Sequence, residues 1–133
     1  MKNSYSNALR WLRQGEYDLQ QAEKSLADSS YAYAAFFSEQ AAQKALKAFL
    51  FKSGERTVII HSVAELVKKA IGFEGAFAQL VEKGARLDRH YLSSRYPDAL
   101  PEPAIPYESY AEDDAKEAVA IAQEILKTAK QFI

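Results

Sequence analysis

Apolar residues recur along most of the chain at spacings of three and four, the signature of helices with one buried face. From Asn3 to about Ala27 they are Ala8, Leu12, Leu19, Ala22 and Leu26, joined by Leu9 and Trp11, with charged residues between them. This predicts an amphipathic helix. Asp28-Ser29-Ser30 offers capping oxygens at a break, and a second helix is expected from Tyr31 to about Ser53, where Gly54 stops it. Two long helices joined by so short a turn form an antiparallel hairpin. Ser62-Val63-Ala64-Glu65 has the spacing of a capping box, in which hydroxyl and carboxylate satisfy each other's backbone amides, and opens a short helix ending near Gly72. A fourth helix is expected over 75 to 92, with Phe77, Leu80, Val81, Leu87 and Tyr91 on one side. Ser109-Tyr110-Ala111-Glu112 repeats the capping pattern before a last helix striped by Ala111, Ala115, Ala118, Ala122, Ile125, Ala129 and Phe132.

No strand-like alternation interrupts this series, and no internal repeat or low-complexity block is present. The expectation is an all-α chain of one domain spanning residues 1 to 133, an up-and-down four-helix bundle with an additional short helix. Its 133 residues, 48% of them hydrophobic, suffice for a real core. The alanine stripe of the last helix and the aromatic second helix would leave apolar surface to share with another copy, so a homodimer is expected.

All four prolines lie between positions 97 and 106, where they break the helical pattern. Each fixes φ and lacks an amide donor, so the stretch Tyr91-Leu-Ser-Ser-Arg95-Tyr96-Pro97-Asp98 and its continuation to Tyr107 reads as a long loop that excludes helix. A long loop inside a short-looped helical chain is usually functional or disordered, and Arg, two Tyr and Asp are the wrong composition for a featureless linker.

The formal charge of −1 hides a segregation. Residues 44 to 95 hold ten Lys or Arg against five Asp or Glu, and residues 96 to 133 hold three against eight. A basic middle and an acidic tail either neutralise each other internally or attract phosphates and a basic partner respectively. The absence of cysteine removes disulfides and thiol chemistry, and two histidines are few for a metal site, so neither metal nor cofactor is expected. There is no uninterrupted apolar run of ~18 residues and no apolar leader at the start, so a cytoplasmic protein without a membrane partner is expected.

Within the second helix, Gln40 and Lys44 fall on the apolar line Tyr33, Phe37, Ala41, Ala48, Phe51. Lys44 either lays its stem on apolar surface with its ammonium in water, or presents charge to a phosphate beside Tyr33. Lys83, Arg86, Arg89 and His90 lie three or four apart and form a positive ridge leading to Arg95. Beside Tyr91 and Tyr96 such a ridge can hold a nucleotide, because arginine forks match phosphate oxygens and rings stack on bases. The alternative is a solvated face neutralised by Asp88 and the acidic tail.

Taken in order, Ala22-Glu23, Tyr33-x-x-Ala-Phe-Phe-x-x-Gln40-Ala-Ala-x-Lys44-Ala-Leu-Lys47-Ala, the Gly54 break, His61-Ser-Val and Arg95-Tyr96-Pro97-Asp98 resemble the HEPN domain family over nearly the whole chain. The resemblance implies a helical bundle that commonly dimerises. It also implies either a nucleotide-binding or substrate-binding partner of a nucleotidyltransferase, or a metal-independent ribonuclease acting as the toxin of a toxin-antitoxin pair. Ribonuclease members carry Arg, four to six residues, then His, with Arg on the scissile phosphate and His moving the proton of the attacking 2'-hydroxyl. Arg56 and His61 have that spacing, whereas Arg86 and Arg89 stand too close to His90.

The favoured reading is a noncatalytic helical protein that binds a nucleotide or nucleotide-containing substrate through Tyr33, Lys44, Arg95 and Tyr96, with Arg86 and His90 as second choices. On this reading Arg95→Ala weakens binding and leaves stability nearly unchanged. The ribonuclease reading rests on Arg56 and His61, with Arg86 and His90 as the second-choice pair. A third makes the chain a protein-protein adaptor, with Arg95 pinned to the acidic last helix and Asp98 to nearby amides.

Overall fold

The computed structural model describes residues 4–133, and every regular element among them is helical. Three long helices dominate: α1 (Ser4–Ala27), α2 (Tyr31–Lys52) and α7 (Glu112–Gln131). Between them lie α3 (Val63–Ile71), α4 (Val81–Asp88), α5 (His90–Ser93) and α6 (Pro106–Ser109). The expected start of the first helix at Asn3 lies outside the described residues. No described helix is long and apolar enough to cross a membrane.

α2 is the axis of the molecule, contacting α1, α7, α3, α4, α5 and α6. Its composition explains that position. Alanines at 34, 35, 41, 42, 45 and 48 allow neighbouring backbones to approach, while Leu46, Phe49 and Leu50 fill the space between them. Buried with them are Leu66, Val67, Phe77, Leu80, Leu87 and Ile125. A central helix needs no broad solvent face, so α2 carries buried side chains on nearly every side.

Both ends of the α1–α2 hairpin use the same local geometry. Ser30 N–H donates to Ser25 C=O and Ser29 N–H to Leu26 C=O, while Glu55 N–H donates to Leu50 C=O and Gly54 N–H to Phe51 C=O. These paired bonds close a helix when the residue after its cap turns left-handed. Gly54 does so at φ 110°, and Ser29 does so at φ 61°. The capping oxygens expected at residues 28 to 30 make no side-chain cap on α2.

The expected fourth helix is segmented. Gly75–Leu80 is a 3-10 turn, α4 follows, and α5 continues beyond Arg89. Glu74 opens the turn by accepting from Ala76 N–H, which leaves Phe77 and Leu80 buried. The expected capping boxes are also altered. Ser62 Oγ accepts from Glu65 N–H, but Glu65 pairs with Lys68, and Asp88 takes the other role from across the fold. Its carboxylate accepts from Ser62 Oγ, Val63 N–H and Ala64 N–H at 2.7, 2.6 and 3.1 Å. At α7 the cap is Ala111, whose N–H donates to Asp114, while Ser109 donates to Ile105 C=O inside α6.

The alanine stripe of α7 faces inward: Ala115, Ala118, Ala122 and Ala129 are fully or almost fully buried. They pack this chain's own core, so they offer a second copy no surface. Nor is the proline segment a featureless loop. Pro97 starts a 3-10 turn, Pro97–Ala99, and Pro106 starts α6. Proline suits the first helical position because its missing donor would be unpaired there anyway, so the four prolines exclude a long helix but permit single turns.

Candidate functional site

The proline segment folds back over the start of α2 and encloses a cleft of about 360 Å³ between them. Its walls are largely apolar: Tyr33 from α2, Pro97, and Ile105, Pro106 and Tyr107 around α6. Ser30 and Ser94 add hydroxyl-bearing residues, and Arg95 adds the charge.

Arg95 is positioned by the residues around it. Its Nε and Nη2 donate to Tyr91 C=O at 3.1 and 2.9 Å, closing the last turn of α5. Its guanidinium carbon lies 4.4 Å from the Phe36 ring centroid, 5.0 Å from Tyr91 and 4.9 Å from Tyr96. Rings hold a guanidinium by their quadrupoles and by contact. A guanidinium has five N–H groups, and the two bonds to Tyr91 leave three, both on Nη1 and one on Nη2. Those three form a fork suited to a phosphate or carboxylate. Among the described residues Arg95 has no acidic partner.

Further along, α2 buries an ionisable group that the sequence pattern did not single out. Glu39 is fully buried, its two oxygens accepting from Gln40 Nε2 at 2.7 Å and Gln43 Nε2 at 2.5 Å. Burial raises its pKa to about 7; the two amides and Arg95 oppose the rise, and Asp88 adds to it. Lys47 is buried over the Trp11 ring, 5.6 Å from its centroid, and burial lowers its pKa. The periodicity of α2 did carry a signal, since a helix without a continuous polar stripe must bury some polar residues.

The remaining candidates lie elsewhere. Lys44 is bound at 2.5 Å to Asp18 of α1, whose other oxygen accepts from Gln14 Nε2 at 3.1 Å. It stands eleven residues beyond Tyr33, about 16 Å along the helix axis. The expected pairing of Lys44 with Tyr33 is corrected: Lys44 fastens the α1–α2 hairpin. The expected ridge is tied down in the same way, with Lys83 on Glu124 and Arg86 on Glu82 and Glu117. His90 shares a hydrogen bond with Tyr110 at 2.7 Å, and burial lowers its pKa, favouring the uncharged imidazole. Tyr110 also bonds Ser93, and burial raises its phenol.

Arg56 and His61 lie in the extended connection before α3, both exposed, with no bond or ring contact between them. His61 instead stacks on Tyr91, its ring centroid 6.1 Å away and the planes 15° apart. Tyr96 is half exposed and contributes its ring to Arg95 rather than a wall of the cleft. Among the described residues no cluster of His, Asp or Glu has the makings of a metal site. Among the described residues the Asp98 carboxylate makes no hydrogen bond and Arg95 makes no ion pair with α7, so the pins expected of an adaptor are absent there. Tyr107, named in the sequence only as the end of the proline stretch, is the most exposed large hydrophobic residue described.

Among the described residues the chain is thus an all-helical domain in which a preset guanidinium lines a largely apolar cleft. The HEPN domain model matches residues 8–132, and the chain belongs to that family. Thermus thermophilus TT1696 is 33% identical and superposes with a TM-score of 0.88, over 95% of this chain and 98% of that one. ST0689, described as an archaeal HEPN homologue, is 35% identical with a TM-score of 0.74, over 98% of both chains. A Methanocaldococcus jannaschii protein named "Putative toxin MJ1304" is 28% identical, over 92% of this chain and 86% of its own length.

Proposed function

We propose that the chain binds a phosphate-bearing nucleotide in the cleft at Arg95, as a noncatalytic subunit that pairs with a second copy and serves a nucleotidyltransferase. The observation that carries this reading is the state of Arg95: held by a carbonyl and three rings, it has three N–H groups left and, among the described residues, no carboxylate in salt-bridge contact. Tyr33, on the same cleft, supplies a face for a base. Isothermal titration with nucleotides tests it. Arg95→Ala lowers affinity about tenfold or more, since a charge-assisted bond contributes about 1.5–3 kcal/mol. Equal affinity of variant and wild type would overturn the reading. Because Arg95 also closes α5 and stacks on Phe36, the variant loses about 1 kcal/mol of stability, more than the sequence alone suggests. The quaternary partners are tested separately, by sedimentation equilibrium for the second copy and by co-purification for a nucleotidyltransferase.

One observation favours a second reading, metal-independent RNA cleavage by a toxin: the name of the Methanocaldococcus relative. Here His61 would carry the proton, and its stacking on Tyr91 places it next to the residue that holds Arg95 rather than near Arg56. Incubation of the purified chain with RNA in chelator decides the matter. Cleavage that disappears in His61→Ala would replace the binding reading with this one.

A further inference from the structure

We infer that the cleft accepts one base and one phosphate, a nucleoside monophosphate, with Tyr107 as the second stacking face opposite the contribution of Tyr33. This rests on the nucleotide-binding reading above and names its ligand class and a further specificity-determining residue.

Three features of the cleft carry it. Tyr33 and Tyr107 come from different elements, α2 and α6, and both line the cleft while remaining 59% and 85% exposed. Large rings left in water at the wall of an otherwise apolar cleft gain most by covering a flat ligand, and no ring contact joins them to each other among the described residues. The volume, about 360 Å³, falls at the lower end of the range for small-ligand sites, about 300–1,000 Å³. The charge is equally restrictive. Among the described residues Arg95 is the only Lys or Arg lining the cleft, and Asp98 and Glu108, next in sequence to the lining residues Pro97 and Tyr107, are exposed acids whose carboxylates make no ion pair or hydrogen bond. One fork can neutralise one phosphate group. The additional negative charges of a triphosphate would meet acidic neighbours and no second cation.

Pro97 and Pro106 hold this arrangement in register. Each begins a short helical turn, and Pro106, which immediately precedes Tyr107, is buried, so the ring is displayed from an anchored base. Tyr107→Ala therefore removes a ring without removing core.

Calorimetric titration with AMP, with ATP in chelator and with inorganic phosphate tests the inference. Wild type binds AMP more tightly than ATP. Tyr107→Ala lowers AMP affinity about tenfold, the loss expected for one stacking face, while Tyr107→Phe keeps it and phosphate binding is unchanged in both. An unchanged AMP affinity in Tyr107→Ala, or ATP binding as tightly as AMP in chelator, overturns the inference while leaving the Arg95 reading intact. Failure of wild type to bind AMP, or AMP binding that survives Arg95→Ala, overturns that reading and this one together.

Discussion

At the scale of single residues, Glu39 shows how burial changes the chemistry of an ordinary carboxylate. It has two amide donors and no cation in bonding contact, and its pKa stands at about 7 against 4.5 in the open chain. The native state therefore keeps a proton that the unfolded chain releases. Stability from this group is complete below about pH 4.5 and is lost as the pH rises toward 7. Glu39→Gln, which carries no charge at any pH, should be more stable than wild type at pH 8 by on the order of 1–3 kcal/mol and gain little at pH 5. Urea melts of both proteins at the two pH values check this; a stability difference independent of pH would show that Glu39 does not titrate in the native state. His90 and Arg95 teach the complementary lesson. Both were candidates by spacing and residue type, yet His90 is committed to Tyr110 and burial lowers its pKa, while Arg95 keeps an open fork.

At the scale of elements, the helices were legible because periodicity and breaks are local, whereas their ends depended on partners far away in sequence. Ser62 capped α3 as its spacing implied, but the carboxylate completing that cap is Asp88, 26 residues on. Close approach was equally hidden. A Cβ on Gly84 would come within 3.1 Å of Ala64 N and 3.2 Å of its Cα, because α4 lies against the first turn of α3. Gly84→Ala should cost about 1–3 kcal/mol by thermal or urea melts, despite the better helix propensity of alanine, since backbone must move. Ser29 offers the opposite sign. It holds a left-handed φ of 61° at the end of α1, where a side chain costs roughly 1–2 kcal/mol and glycine almost nothing. Ser29→Gly should raise stability by about 0.5–1 kcal/mol in the same assay, and a loss would mean that its side chain makes up the difference. The site was half legible: Arg95 and Tyr33 stood out by type and neighbourhood, while Tyr107 became visible as a wall of the cleft only once α6 was seen folded over α2.

At the scale of the molecule, the segregation of charge is largely an internal matter. Lys83 and Arg86 of the basic middle reach Glu124 and Glu117 of α7, and Lys130 returns from α7 to Glu16 of α1. These pairs are substantially exposed, so each contributes little after solvent screening, about 0–1 kcal/mol. The Lys44–Asp18 pair differs: its side chains retain 26% and 10% of their exposure, and it joins the two longest helices. Raising sodium chloride from about 0.05 to about 0.5 M should therefore change unfolding free energy by less than about 1 kcal/mol, because the pairs that salt reaches are the weak ones. Arg86→Ala should lie within about 0.5 kcal/mol of wild type. Lys44→Ala should cost more, about 2–3 kcal/mol, because Asp18 is left nearly buried with only Gln14 as a partner. Denaturant melts of the three proteins at both salt concentrations compare these terms directly. If Arg86→Ala proved as damaging as Lys44→Ala, and the difference vanished in salt, long-range attraction between the basic middle and acidic tail would be holding the bundle together in place of its alanine-lined core.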